Sequence, residues 1–264
     1  MLAQVALIAC LVGCSAAAAA GSVLIVADEW PQMDVLAHYL EAEGGYAVEK
    51  AEQDQLPEDL APYHAVFQFI HGRFDDDPAQ ALMDYATGGG RLVVLHHGVS
   101  SAKRATQGWL EFLGVALERD KDADDRYVWF EGVDLTLVNL NPRHYITAHN
   151  VAYDKTLEYR SSDRPSPSVS LPAFDLEQTE VYLNHQFTDA REKTVLLGFR
   201  YEDRETGEVH MQDRAGWFKA VGKGLVFYFQ PGHAASDFEN ASFCQILLNC
   251  LTWRVTGAGL RSDE

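Results

Sequence analysis

Apolar and polar positions follow two rhythms along this chain. Short continuous apolar runs at residues 22–27 (S-V-L-I-V-A), 65–70 (A-V-F-Q-F-I) and 91–95 (R-L-V-V-L) have the pattern of strands buried on both faces, as in a parallel sheet. Between them, polar stretches carry apolar residues at helical spacing. Met33, Leu36, Ala37 and Leu40 mark a helix over 31–43 that Gly44-Gly45 ends. Pro78 opens a second, reaching Thr87 ahead of Gly88-Gly89-Gly90. A further strand is expected at 46–49. This β-α-β-α order, with right-handed crossovers, predicts an α/β fold: a doubly wound, mostly parallel sheet with helices on both faces.

From 116 to 191 the rhythm weakens into charged (118–126), loop-rich (139–144) and proline-containing (164–172) stretches, with a short strand expected at 133–138. The segment reads as an elaboration of the same domain rather than a second one. Regularity returns with strands at 194–199 and 225–229, the latter after the turn Gly222-Lys223-Gly224. A closing helix is expected over 238–255, where Phe243, Ile246, Leu247, Cys250 and Leu251 form an apolar stripe.

The N-terminus adds an address. An apolar run from Val5 to Val12 is too short to span a bilayer and is followed by small residues, the pattern of a secretory signal. Leu11-Val12-Gly13-Cys14 resembles a bacterial lipobox, in which the cysteine is acylated. The expected organisation is therefore a signal peptide at 1–20 with lipidation at Cys14, one domain over 21–256 and a tail at 257–264. The protein is expected to be exported, as a periplasmic or cell-envelope lipoprotein of a bacterium, touching the membrane only through that anchor. The remaining cysteines, Cys244 and Cys250, fall in one helix at a spacing that cannot bridge and read as core filler.

Charge narrows the functional classes. With 39 acidic against 21 basic residues the net charge is −18, and no basic run stands out, so nucleic-acid binding is not expected. The acidic groups at 75–77 and 120–125 lack EF-hand spacing and read as solvated loops. No G-x-G-x-x-G or Walker pattern points to a nucleotide.

In doubly wound sheets the ligand crevice lies outside the carboxyl ends of the strands. Histidines collect there: His71 after the second buried run, His96 and His97 after the third, and His233 after the strand at 225–229. His96 occupies a strand-to-helix turn where related architectures place a nucleophilic serine or cysteine. Ser100 and Ser101 come too late to fill that role, which disfavours acyl transfer. Imidazole at this turn suits carbonyl polarisation, proton movement or metal binding.

Several segments in order along the chain resemble one family. They are V-V-L-H-H-G at 93–98, Trp109 with Phe112-Leu113-Gly114, H-Y-I-T at 144–147, T-E-V-Y at 179–182, G-W-F-K-A-V-G-K-G-L-V-F-Y at 216–228, P-G-H at 231–233 and the end at 248–253. The chain is thus similar to the ThuA-like (trehalose-utilisation) proteins of the class I glutamine amidotransferase-like superfamily. Tyr145 stands where that family has proline, and Thr179 where it has aspartate.

The resemblance implies a flavodoxin-like sheet without the amidotransferase cysteine, and a role in metabolising disaccharides or their 3-keto derivatives. By analogy His96, His97, Glu180, Tyr182 and His233 line the pocket. His96 and His233 are the expected base and electrophile, with Glu180 as orienter or second acid. His71, His97, Trp109, Tyr182 and Trp217 are the expected substrate-binding residues, the aromatics by stacking on sugar rings. His96, His97, His233 and Glu180 equally form a ligand set for a divalent metal; no other cofactor is indicated. The expected partner is a small carbohydrate. The expected enzyme is a keto-sugar or glycoside-processing lyase, hydrolase or isomerase, not an amidotransferase. The rival reading is a non-catalytic sugar-binding lipoprotein or interaction module.

Overall fold

The computed structural model describes residues 20–254 apart from 121, 124, 164, 190 and 191. The expected signal peptide up to residue 19, with Cys14, and the expected tail at 257–264 lie outside the described residues. Among the described residues no helix is long and apolar enough to cross a membrane.

In chain order the elements are β1 (Ser22–Ala27), α1 (Trp30–Ala42), β2 (Ala47–Ala51), β3 (Ala65–Phe69), α2 (Asp76–Gly88), β4 (Arg91–Leu95), α3 (Trp109–Leu113), β5 (Val115–Leu117), β6 (Val128–Asn139), α4 (Tyr145–Ala148), β7 (Lys155–Tyr159), β8 (Val169–Leu183), β9 (His185–Phe187), β10 (Thr194–Glu202), β11 (Val209–Val221), β12 (Gly224–Phe229), α5 (Ala235–Glu239) and α6 (Ala241–Thr252). One ten-stranded sheet runs β2-β1-β3-β4-β12-β11-β10-β6-β8-β7, and β5 pairs with β9 beside it.

The first five strands of that order are mutually parallel, which is the flavodoxin-like core. Their apolar runs split by alternation. Val23, Ile25, Phe67, Val93 and Phe227 pack with α1 and α6, while Leu24, Val26, Val66, Leu92 and Val226 pack with α2 and α3. Burial on both faces explains the uninterrupted hydrophobic signal. Pro31 and Pro78 both sit in first helical turns, where a missing N–H costs nothing, so each helix starts slightly ahead of its proline. Beyond β12 the sheet continues with five antiparallel strands, of which the hydrophobic pattern had marked only parts of β6 and β10.

The expected closing helix is two helices. Asn240 is extended, and its side chain accepts hydrogen bonds from the backbone N–H groups of Ser242 and Phe243, so it caps α6 and interrupts the run from α5. Cys244 and Cys250 are buried free thiols on α6.

Two bends matter for the site. The β6/β8 pairing is offset around Glu131–Leu135, where Gly132 and, opposite, Gln178 take left-handed backbone conformations. Bulges of this kind bend a ribbon and re-aim its side chains. The end of this strand pair that carries Val128–Glu131 and Glu180–Leu183 is thereby turned over the carboxyl ends of the parallel strands, and Glu180 meets His96 although their strands are not neighbours in the sheet.

His185 on β9 is fully buried, with no hydrogen-bond partner for either ring nitrogen among the described residues. Burial, then the nearby Arg214 and Lys193 charges, lower its pKa to about 3. It stays neutral in the fold yet takes a proton near 6.5 once unfolded, so its contribution is present above about pH 6.5 and lost as pH falls toward 3. Wild type should lose about 1.4 kcal/mol per pH unit more than His185→Gln below pH 6. Parallel stability curves for the two proteins in urea would refute this.

Candidate functional site

The carboxyl ends of four adjacent parallel strands deliver the polar cluster: Asp28 and Glu29 after β1, His71 after β3, His96 and His97 after β4, and His233 after β12. The arm of β6 and β8 supplies the opposite wall.

The turn after β4 is tight. His96 has a positive φ of 36°, a conformation that costs a non-glycine residue on the order of 1–3 kcal/mol and is characteristic of functional sites. Gly98 is required two residues on, since a Cβ there would sit 2.1 Å from the Val94 Cγ1. The Trp109 indole N–H donates to the Gly98 carbonyl at 2.8 Å and anchors the turn from below.

His96 is fully enclosed. Its Nδ1 lies 2.5 Å from the Gln230 carbonyl. A carbonyl only accepts, so the proton is on Nδ1 and Nε2 faces inward. Nε2 is 2.7 Å from Glu180 Oε2 and 3.1 Å from the Tyr182 hydroxyl. His233 Nδ1 is 3.1 Å from the same carboxylate oxygen, though not aligned for a hydrogen bond. His97 Nδ1 is 2.9 Å from the Tyr182 hydroxyl, and its Nε2 is buried without a partner.

The electrostatics are those of a cluster in which one imidazole is kept from protons and one carboxylate draws them to another. Burial alone would raise the Glu180 carboxyl, but the imidazoles of His233 and His96 against it outweigh that and hold it at about 2. The same contact raises the pKa of His233. His97 is pushed far below the ordinary imidazole value, first by burial and then by His96, His71, His233 and Lys103, so it is neutral.

Ring orientation shows what the cluster can hold. The rings of His96, His97 and His233 meet pairwise at 64°, 70° and 73°, and one ligand atom from each, with one from Glu180, fall within 4.8 Å of one another. An imidazole binds a metal in its own plane, so mutually steep rings converge on a point. A His96 Nδ1–H fixed by a backbone carbonyl is the arrangement that presents Nε2 as a ligand. A divalent cation fits these four residues: it would replace the proton that His96 Nε2 otherwise shares with the Glu180 carboxylate.

Next to the cluster is a cavity of about 420 Å³ lined by His71, His97, Tyr127, Trp129, Glu131 and Tyr182, among others. Trp129 is half exposed, and its ring lies 6.1 Å from that of Tyr127. A larger hollow of about 1010 Å³ opens at the amino ends of the strands, by Tyr46, His64 and Arg91. Among the described residues it holds no group of three ligating side chains, whereas both such groups include residues that line the smaller cavity.

Of the site residues expected from sequence, His71, His96, His97, Glu180, Tyr182 and His233 come together. Trp109 and Trp217 do not: both are fully buried. Trp109 packs edge-on against Phe74, and Trp217 packs against Tyr228 and Phe187, so neither offers a face to a sugar. The aromatic wall is instead Tyr127 and Trp129, which went unnoticed because they follow a charged stretch; the alternation W-F-E at 129–131 was the available signal. Glu29 was missed as well. Thr179, in the place of an expected aspartate, donates to buried Asp237, which also accepts from the Gly232 N–H and so ties β8 to the His233 loop. Tyr145, in the place of proline, starts α4 with its hydroxyl 3.3 Å from that of Thr252.

A family model described as "ThuA: Trehalose utilisation" matches residues 22–254. Among solved structures, a putative ThuA-like protein from Bacteroides uniformis is similar with a TM-score of 0.59, at 15% identity over 89% of this chain and 91% of that one. The carbohydrate deacetylase Agd3 is similar at TM-score 0.50, with 13% identity over 86% of this chain and 32% of that one. A β-galactosidase from Bacillus circulans sp. alkalophilus gives TM-score 0.50, with 12% identity over 86% and 30%. The chain thus spans about a third of each of those two enzymes, and identities this low speak for the fold alone. No curated protein matches.

Proposed function

This chain belongs to the ThuA, or trehalose-utilisation, family, and from that premise we propose that it is an enzyme of carbohydrate catabolism acting on a disaccharide or 3-keto-sugar by acid-base chemistry, with a divalent cation at His96, His97, His233 and Glu180. The approach of His96 and His233 to one carboxylate, with a ligand atom of His97 within 4.8 Å of theirs, at the wall of a cavity with an exposed aromatic rim, carries this reading.

The cation, when bound, supplies Lewis-acid polarisation of a substrate oxygen. The chain's own residues do the rest. Gln230 and Tyr182 fix the His96 ring, and burial keeps His97 neutral so that it does not repel the ion. Trp129 and Tyr127 offer apolar faces to a sugar ring. A ketone acidifies the neighbouring C–H; once that proton is removed, the electron pair left behind expels the glycosidic oxygen, which takes up a proton. In that reaction His96 is no base, because both of its nitrogens are already engaged. The proposal extends to export and acylation at Cys14, which the lipobox-like Leu11-Val12-Gly13-Cys14 supports and which would put the reaction in the cell envelope.

The test is to incubate the protein with 3-keto and unmodified disaccharides, with and without chelator, and follow products by mass spectrometry. Turnover lost on chelation and in His96→Ala is expected. Folded protein that is stabilised by a sugar yet turns none over would overturn the enzyme in favour of a binding protein.

A further inference from the structure

Besides the convergent cluster, a second trio, Glu29, His71 and His97, brings ligand atoms within 4.8 Å, and its geometry says something different. The rings of His71 and His97 are stacked, with centroids 4.2 Å apart and planes inclined by only 14°. Parallel rings cannot both aim an in-plane nitrogen at one ion between them. What remains is a hydrogen bond: His71 Nδ1 and Glu29 Oε1 are 2.6 Å apart. A carboxylate only accepts, so it fixes the proton on Nδ1 and leaves the Nε2 lone pair free. His71 lines the cavity, and its side chain is 56% exposed.

The loop bearing His71 is held from both sides. The Asp28 carboxylate accepts from the backbone N–H groups of His71 and Gly72 at 2.7 and 2.8 Å. Lys103, fully buried, donates from Nζ to the carbonyls of Gly72 at 2.8 Å and His71 at 3.3 Å. Burial lowers that lysine to about 8. Keeping a lysine inside a protein to fix two loop carbonyls is costly, and the residue it fixes is a half-exposed histidine at the cavity wall.

We propose that Glu29 and His71 form a base dyad, in which Glu29 sets the ring tautomer and His71 Nε2 removes the proton from a carbon next to a substrate carbonyl. The C–H electron pair becomes the enolate, and the proton passes to Nε2, giving an imidazolium that Glu29 stabilises. Asp28 and Lys103 are positioning residues. The inference rests on the keto-sugar reading for its substrate, but not for its geometry.

Two measurements test it. Long-range ¹H–¹⁵N spectra of histidine-labelled protein, with His71 assigned through His71→Gln, should show His71 as the Nδ1–H tautomer when neutral, reverting to Nε2–H in Glu29→Ala. Deuterium uptake in D2O at the carbon beside the ketone of a 3-keto-glucoside should fall by about 10²–10⁴-fold in His71→Ala, with zinc content unchanged and with partial rescue by added imidazole. An Nε2–H tautomer in wild type, a second zinc equivalent that perturbs His71, uptake indifferent to His71→Ala, or no uptake by zinc-loaded wild type would each overturn the dyad. Wild type that exchanges this proton but cleaves nothing upholds the dyad and sinks only the cleavage reaction.

Discussion

Saturating zinc should raise the melting temperature of the wild-type protein by roughly 5–11 °C, and His96→Gln should abolish the gain. A ligand at about a hundred times its dissociation constant stabilises by about 2.7 kcal/mol, and each kcal/mol moves a domain of this size by about 2–4 °C. His96 is the informative position. Its Nδ1 is committed to the Gln230 carbonyl, so Nε2 is the nitrogen left to bind. The ring is also fully buried, so any substitution costs stability without zinc; comparing each protein with and without metal removes that cost. An equal gain in the variant would mean that the ion binds elsewhere, and no gain in wild type would remove the cation from the site.

The second large effect concerns a residue expected at the surface of the pocket. Trp109→Ala should cost about 3–5 kcal/mol, as for other buried aromatic truncations, read as a shift of the urea unfolding midpoint. Its indole packs edge-on against Phe74 at 4.9 Å and beneath the turn that carries His96 and His97. Trp109→Phe keeps most of the packing but deprives the buried Gly98 carbonyl of its donor, for about 1–3 kcal/mol. A loss under 1 kcal/mol in Trp109→Ala would contradict the placement. So would a sugar-affinity defect in Trp109→Phe at unchanged stability, since that belongs to a residue facing the ligand.

The parallel core was legible because burial on both faces leaves runs that are apolar but for Ser22, Gln68 and Arg91 in β1, β3 and β4, with glycines and prolines punctuating the helices. From that legibility the edge carrying His71, His96, His97 and His233 followed. The antiparallel half was not, for a local reason. In β8 the alternation through Ala173–Leu176 loses phase at Gln178, whose left-handed backbone inserts a bulge, so a period-two search sees two fragments of opposite sense. Glu29 escaped for a different reason. Nothing in D-E-W-P distinguishes a carboxylate on the site from one in solvent until His71, 42 residues on, is seen 2.6 Å from it. Trp109 and Trp217 were misplaced because position after a turn or within a strand does not reveal which way an indole points.

The bulged arm has a consequence for how the protein is put together. Every histidine of the cluster belongs to the parallel core, whereas Glu180, Tyr182, Tyr127 and Trp129 ride on the arm. The site is therefore closed by a clasp: the core alone carries the imidazoles, and the carboxylate arrives only when the β6/β8 arm folds down, across 84 residues of sequence from His96. An ion gripped by both sides would be the pin of that clasp. The grip and the cavity rim travel on the same strand pair, so insertions at its free end would reshape the cavity while the imidazoles stay where they are.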